Sequence, residues 1–229
     1  MPSFEDVRVV AVLDDVDDDR EMTTMAVQAA GFTVIEMPGQ LDIDGAISWL
    51  RANAHALVTD HNLRWGDAAP FSGAELARRC NEIGFPAVLV TGYTVDTFTS
   101  IREHRRGVPE LVLRGELDGD RVASALAVVY GEVTDRPSVT REPRPAIVRV
   151  DRVNAEAGQI DVVVSQWNPH LKVSMPMSLL GTENVPDDPA DLVDRRYFAI
   201  VNTGAESEED LYFEKFQEAP PEPDESDLQ

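Results

Sequence analysis

The sequence has little of several features that mark common classes of protein. Its single cysteine, Cys80, excludes an internal disulfide and has no partner at metal-ligand spacing, so we expect a buried helix residue there. No apolar run approaches the roughly 20 residues that a membrane-spanning helix needs, and residues 1–8 are polar and unlike a secretory signal. We therefore expect a soluble, cytoplasmic protein that does not contact membranes.

Basic residues are also scarce. The chain has 20 lysines and arginines against 42 acidic residues, which leaves a net charge of -22. Such a chain is repelled by phosphate backbones, and no basic patch stands out, so we expect no nucleic-acid binding. The sequence shows no Ser-His-Asp arrangement, no cysteine-histidine cluster and no glycine-rich phosphate loop, so nothing in it favours an enzyme.

What is present divides the chain into regions. Residues 1–132 alternate five short apolar runs with helical patterns, which predicts an α/β domain with a doubly wound, five-stranded parallel sheet. Residues 133–145 contain three prolines and no apolar periodicity, and are predicted to be a linker. Residues 146–216 contain about five strand-like runs, typical of a small all-β barrel or sandwich. Residues 217–229 are acidic and are predicted to be a disordered tail.

Polar residues follow the apolar runs of the first region. They are Asp14 and Asp15 after the first run, Asp60 after the third, Thr91 after the fourth and Arg114 after the fifth. Ligands of a doubly wound sheet bind beyond the carboxyl ends of its strands. Carboxylates that meet there repel one another, and a hard divalent cation such as Mg²⁺ relieves the repulsion. A metal, a carboxylate, a hydroxyl and a cation together suit phosphoryl transfer.

Four segments carry a resemblance to a known family. They are VLDDVDDDR (residues 12–20), LVTDHNL (57–63), VLVTGY (88–93) and LVLRGELDGDRVASAL (111–126). In this order and at these spacings, residues 7–132 resemble the response-regulator receiver domain of two-component signalling, whose fold is flavodoxin-like.

The resemblance implies a role for each residue at the strand ends. Asp60 would accept a phosphoryl group, Asp14 and Asp15 would hold Mg²⁺ together with Asp60, and the backbone carbonyl of Asn62 would complete the metal site. Thr91 would hydrogen-bond the phosphoryl oxygen. The phosphodonor would be a histidine kinase or another donor, and a homodimer through the fourth and fifth helices is one possibility that the family offers.

The second region has no named relative. Residues 146–229 carry a net charge of -12, so we expect the β domain to act through a protein partner rather than DNA. The first function hypothesis is accordingly a signalling response regulator that controls a protein-protein interaction.

The sequence departs from the family's pattern at three places. The basic residue, almost always lysine in the family, is Arg114, whose planar guanidinium is not equivalent to an ammonium. The position of the family's switch aromatic is Leu111, and residues 64–71, with Trp65, make a longer loop than usual after Asp60.

Three alternatives follow from these residues. Arg114 could pair permanently with Asp60, giving a phosphorylation-independent pseudo-receiver that serves as a scaffold or complex subunit. Asp15 and Asp17 after an apolar strand, with Thr91, also resemble the opening motifs of haloacid-dehalogenase-type phosphatases, but the lysine that this family requires is missing from the first region. The acidic residues could also simply be solvated.

Overall fold

The computed structural model describes residues 4–38, 41–63, 69–92, 95–135 and 137–220. These residues form two compact units, Met1–Ser138 and Val139–Gln229. Each unit is built around its own β-sheet.

The first unit alternates strands and helices along the chain. Its strands are β1 (Val9–Leu13), β2 (Thr33–Glu36), β3 (Ala56–Asp60), β4 (Ala87–Thr91) and β5 (Leu111–Leu113), and its α-helices are α1 (Asp17–Ala29), α2 (Ile43–Asn53), α3 (Gly73–Glu82), α4 (Val95–Arg102) and α5 (Gly119–Thr134). The strands pair in parallel in the order β2-β1-β3-β4-β5. The predicted doubly wound, five-stranded parallel sheet is therefore confirmed.

The two faces of this sheet bury different side chains because successive residues of a strand point to opposite sides. On one face, Val10 and Val12 of β1 lie in a core with residues of α1 and α5. On the other, Ala11 and Leu13 lie in a core with residues of α2 and α3. Cys80 of α3 is buried in this second core, as predicted. With both faces covered, only the ends of the strands are open to ligands.

Helix α3 begins and ends where the sequence predicts. The Ser72 hydroxyl accepts a hydrogen bond from the backbone N–H of Glu75 at 3.1 Å and so caps the helix start. Gly84 has a φ of 77°, a left-handed conformation that favours glycine, and it follows the helix end directly. These two signals mark the start and the end of α3.

The second unit is an antiparallel sheet. Its strands are β6 (Arg144–Asn154), β7 (Gln159–Val164), β8 (Asn168–Pro176), β9 (Arg196–Val201) and β10 (Phe213–Glu218), in the order β10-β9-β6-β7-β8. The all-β prediction is confirmed. Among the described residues the strands form one sheet with edges at β10 and β8, rather than two sheets of a sandwich.

One face of this second sheet carries the core of the unit. Val148, Val162 and Tyr197 are fully buried on it. The connection from β8 to β9 contains three 3₁₀ turns, and Leu180 and Leu192 from these turns complete the core. A single sheet can thus be stable because its own connections cover its apolar face.

The borders of the elements differ from the predicted regions. Helix α5 continues to Thr134 and β6 begins at Arg144, so the connection is shorter than the predicted linker of residues 133–145. Strand β10 includes Gln217 and Glu218, because both residues pair with β9. The strand therefore extends into the range predicted for the disordered tail. Residues 221–229 lie outside the described residues.

None of the helices in the described part of the chain is long and apolar enough to cross a membrane.

Candidate functional site

The carboxyl ends of β1 and β3 are the natural place for a ligand in the first unit. The chain crosses from one side of the sheet to the other at these two central strands, and ligands of doubly wound sheets bind at this point. Asp14 follows β1 directly, and Asp60 is the last residue of β3. The parallel pairing of Leu13 with Thr59 brings the two aspartates to the same edge.

Three carboxylates gather at this edge. One carboxylate oxygen from each of Asp14, Asp15 and Asp60 lies within 4.8 Å of the others. Asp14 is only 4% exposed and Asp60 only 7% exposed, whereas Asp15 is half-buried. The predicted cluster is therefore present, with two members largely removed from water.

The guanidinium of Arg114 bridges two of these carboxylates. Its Nη2 atom donates to Asp60 Oδ1 at 2.5 Å and to Asp14 Oδ2 at 3.1 Å. Arg114 begins the 3₁₀ turn that follows β5, and its side chain is 17% exposed. Backbone amides satisfy the other two carboxylate oxygens: Val16 N–H donates to Asp14 Oδ1 at 3.1 Å and Asn62 N–H to Asp60 Oδ2 at 2.6 Å.

Burial and neighbouring charges change the protonation of Asp14 and Asp60. Burial, and secondly the neighbouring charge of Asp14, raise the pKa of Asp60 to about 6, while Arg114 and the Asn62 amide act in the opposite direction. Burial likewise raises the pKa of Asp14 above its usual value, with Arg114 again opposing. Burial thus favours the protonated forms of both carboxyl groups, while Arg114 favours their ionised forms.

The structure describes three of the four other residues that the sequence singled out. Thr91 ends β4 one residue beyond Val90, which pairs with Asp60, and its buried hydroxyl donates to the Gly92 carbonyl oxygen at 3.1 Å. Asn62 is exposed, and its contribution through the backbone carbonyl stays a prediction. Leu111 is half-buried in β5. Trp65 lies outside the described residues.

Sequence reasoning missed two residues that shape the site. Asp19, in the first turn of α1, lies 3.6 Å from Arg114 Nη1. No local pattern distinguishes it from the other acidic residues of the segment. Gly73, the first residue of α3, donates its N–H to the His61 carbonyl oxygen at 2.9 Å. A Cβ atom at Gly73 would overlap the backbone carbonyl oxygen of Asp60, so only glycine allows this close approach.

The donor set fits a hard divalent cation. Carboxylate oxygens are the ligands that Mg²⁺ prefers, and three of them come within reach of one ion here. A bound cation would favour the ionised forms of Asp14 and Asp60, whose pKa values burial raises. Arg114 already binds Asp14 and Asp60, so a metal ion and the guanidinium would compete for these two carboxylates.

In comparisons with known proteins, only solved structures resemble the chain. No protein-family model matches the chain, and no curated protein sequence matches it. Many solved structures that resemble it are response-regulator receiver domains, and three illustrate the range. A receiver domain protein of Clostridium thermocellum is 14% identical, with 55% of this chain and 95% of that chain covered and a TM-score of 0.42.

The other two examples are similar. A response regulator described as putative, from Chloroflexus aurantiacus, is 19% identical over 53% of this chain and 98% of that chain, with a TM-score of 0.41. A receiver protein of Pseudomonas putida is 20% identical over 52% of this chain and 95% of that chain, with a TM-score of 0.39. At such identities the likeness concerns the fold only.

The strand order β2-β1-β3-β4-β5 is that of flavodoxin-like proteins. The first unit has a flavodoxin-like fold. Its acidic cluster lies at the crossover point of this fold.

Proposed function

We propose that the chain is a signalling response regulator whose Asp60 accepts a phosphoryl group with Mg²⁺, and whose second unit contacts a protein partner. The observation that carries this proposal is the convergence of Asp14, Asp15 and Asp60 at the ends of β1 and β3. The resemblance of residues 7–132 to receiver domains supplies the reaction, and a histidine kinase is the corresponding donor.

Asp60 is suited to the role of nucleophile. With a pKa of about 6 it is mostly ionised at neutral pH and more basic than an ordinary carboxylate. A carboxylate oxygen of Asp60 would form a bond to phosphorus, while the bond from phosphorus to the donor's leaving atom breaks and its electron pair departs with the leaving group. Arg114, at 2.5 Å from Asp60, favours the ionised form of this carboxylate before the metal binds.

The metal would be held by the carboxylates of Asp14, Asp15 and Asp60. A bound Mg²⁺ would neutralise charge on the phosphoryl oxygens and so lower the barrier to attack by an anion. Before any donor binds, the positive charge of Arg114 reduces the repulsion between Asp14 and Asp60.

The second unit is proposed to carry the output by contacting protein. Residues 146–229 have a net charge of -12, which disfavours DNA. We place the protein in the cytoplasm, where a kinase could reach it, and propose no enzymatic reaction for the second unit.

Labelling with a small phosphodonor tests the proposal. We expect acetyl phosphate or phosphoramidate with Mg²⁺ to add one phosphoryl group to the full chain, seen by intact-mass spectrometry and removed by hydroxylamine, as expected for an acyl phosphate. Asp60→Asn should abolish the label, because an amide cannot attack phosphorus. Asp17→Asn is the matched control, since Asp17 is 88% exposed and pairs with Arg20 instead.

Two outcomes would refute phosphorylation at Asp60. One is an unlabelled wild type under conditions that label a control receiver. The other is a label that persists in Asp60→Asn, which would place the phosphoryl group elsewhere.

A second candidate function has its own supporting observation. Arg114 already binds both Asp60 and Asp14, and all three side chains are largely buried. This arrangement is expected of a constitutive scaffold that needs no phosphate. This candidate predicts no label on the wild type, and equal capture of protein partners by the wild type and Asp60→Ala. Phosphorylation control predicts that Asp60→Ala changes the set of captured partners.

A further inference from the structure

Arg114 faces one more carboxylate than the two it hydrogen-bonds. Its Nη2 atom binds Asp60 and Asp14, while its Nη1 atom lies 3.6 Å from Asp19 Oδ2. That distance makes an ion pair and is too long for a hydrogen bond. The guanidinium thus lies between the acidic cluster on one side and Asp19 on the other.

The Nη1 atom is poorly satisfied in this position. It is buried and has no hydrogen-bond partner among the residues that the structure describes. A buried donor without an acceptor is unfavourable, so a small shift of Arg114 toward Asp19 would gain a charge-assisted hydrogen bond. The side chain of Asp19 is 31% exposed and lies on the first turn of α1.

We propose that Arg114 is a tethered competitor of the divalent cation, and that Asp19 is the positioning residue that receives its guanidinium when the cation binds. This inference rests on the proposed function, since it concerns the same metal site. It adds that the metal affinity depends on a carboxylate that does not itself hold the metal.

Electrostatics favours this division of roles. A divalent cation and a guanidinium cannot both bind the oxygens of Asp14 and Asp60 without strong repulsion. Without Asp19, the guanidinium of Arg114 would either remain close to the metal ion or move into the solvent without a carboxylate partner. With Asp19 beside it, Arg114 can leave the shared oxygens and still remain paired, which lowers the free energy of the metal-bound state.

Calorimetric titration of the full chain with MgCl₂ at about pH 7.5, where Asp60 is mostly ionised, tests the inference. We expect Asp19→Asn to weaken Mg²⁺ binding about tenfold, the size usual for residues that orient a metal site from outside it. Asp19→Glu should largely restore the affinity. Asp17→Asn removes a charge from the same helical turn and should leave the affinity within about twofold.

A double-mutant cycle separates the proposed role from a simple loss of negative charge. Arg114→Met should bind Mg²⁺ more tightly than the wild type, because the competitor is gone. In that background Asp19→Asn should have no further effect, since Asp19 acts only through Arg114. A plain charge effect would instead weaken binding equally in both backgrounds and would overturn the inference.

Two further outcomes distinguish failure of this inference from failure of the proposed function. Equal affinities in the wild type, Asp19→Asn and Arg114→Met overturn the inference while the metal site of the proposed function survives. Absence of Mg²⁺ binding in every variant overturns both, and a wild type that is still labelled at Asp60 would then mean phosphorylation without this metal site.

Discussion

Gly73→Ala should destabilise the first unit by about 3 kcal/mol, the upper range for overpacking a close contact. The first turn of α3 approaches the end of β3 so closely that a Cβ atom at Gly73 would overlap the carbonyl oxygen of Asp60. Backbone atoms cannot turn aside as a flexible side chain can, so β3 or α3 must shift. The carboxylate of Asp60 would shift with its backbone, and phosphoryl labelling should fall as well.

Urea unfolding followed by helical circular dichroism measures this effect. The signal reports on the first unit, because the five α-helices of the described chain all lie in it. Gly131→Ala is the matched control: Gly131 is exposed within α5, nothing lies within 4 Å of its added Cβ, and alanine there should stabilise the helix by up to about 1 kcal/mol. If Gly73→Ala is as stable as the wild type, the close approach of Gly73 to the carbonyl oxygen of Asp60 is contradicted.

Arg114→Met should cost about 3 kcal/mol of unfolding free energy at about pH 7.5 in the absence of divalent cations. Methionine fills a similar volume but leaves the carboxylates of Asp14 and Asp60, which are largely buried, without their bridging cation. Arg121→Met is the control, because Arg121 pairs with Glu110 at 2.9 Å where both side chains are more exposed. That loss should be about 1 kcal/mol or less.

The pH dependence identifies the cause of this loss. The pKa of Asp60 in the folded wild type is about 6, above its usual 3.8, so its contribution to stability falls as pH rises between these values. Arg114 lowers that pKa, so its removal raises it further and extends the fall to higher pH. The defect of Arg114→Met should therefore shrink toward about pH 4, where Asp60 is protonated. Millimolar Mg²⁺ should restore part of the stability at neutral pH, and a defect independent of both pH and Mg²⁺ would indicate lost packing instead.

The main features of the site follow from the sequence because they depend on short-range pattern. Apolar runs locate the strands, and the rule that ligands bind at the carboxyl ends then selects Asp14 and Asp60. Asp19 could not be chosen in the same way, since a run of five acids around it has the pattern of a solvated loop. Asp19 matters because it pairs with Arg114, and the folded sheet brings these two residues, which are distant in sequence, together.

Other features depend on tertiary contacts that no local pattern shows. The need for glycine at Gly73 arises from the approach of a backbone segment distant in sequence. In the second unit, the period of two predicts strands but not their partners, so a barrel, a sandwich and the observed single sheet were equally compatible with it. The covering turns with Leu180 and Leu192 carry little periodicity of their own.

The central claim is that aspartates from separate strand ends converge on one cation. Crystals of the full chain grown with Mn²⁺, which shares the preference of Mg²⁺ for carboxylate oxygen, would show the ion by anomalous scattering. The account predicts one ion among the carboxylates of Asp14, Asp15 and Asp60, with the Arg114 guanidinium paired to Asp19. Mn²⁺ bound elsewhere, with Arg114 still bridging Asp14 and Asp60, would contradict it.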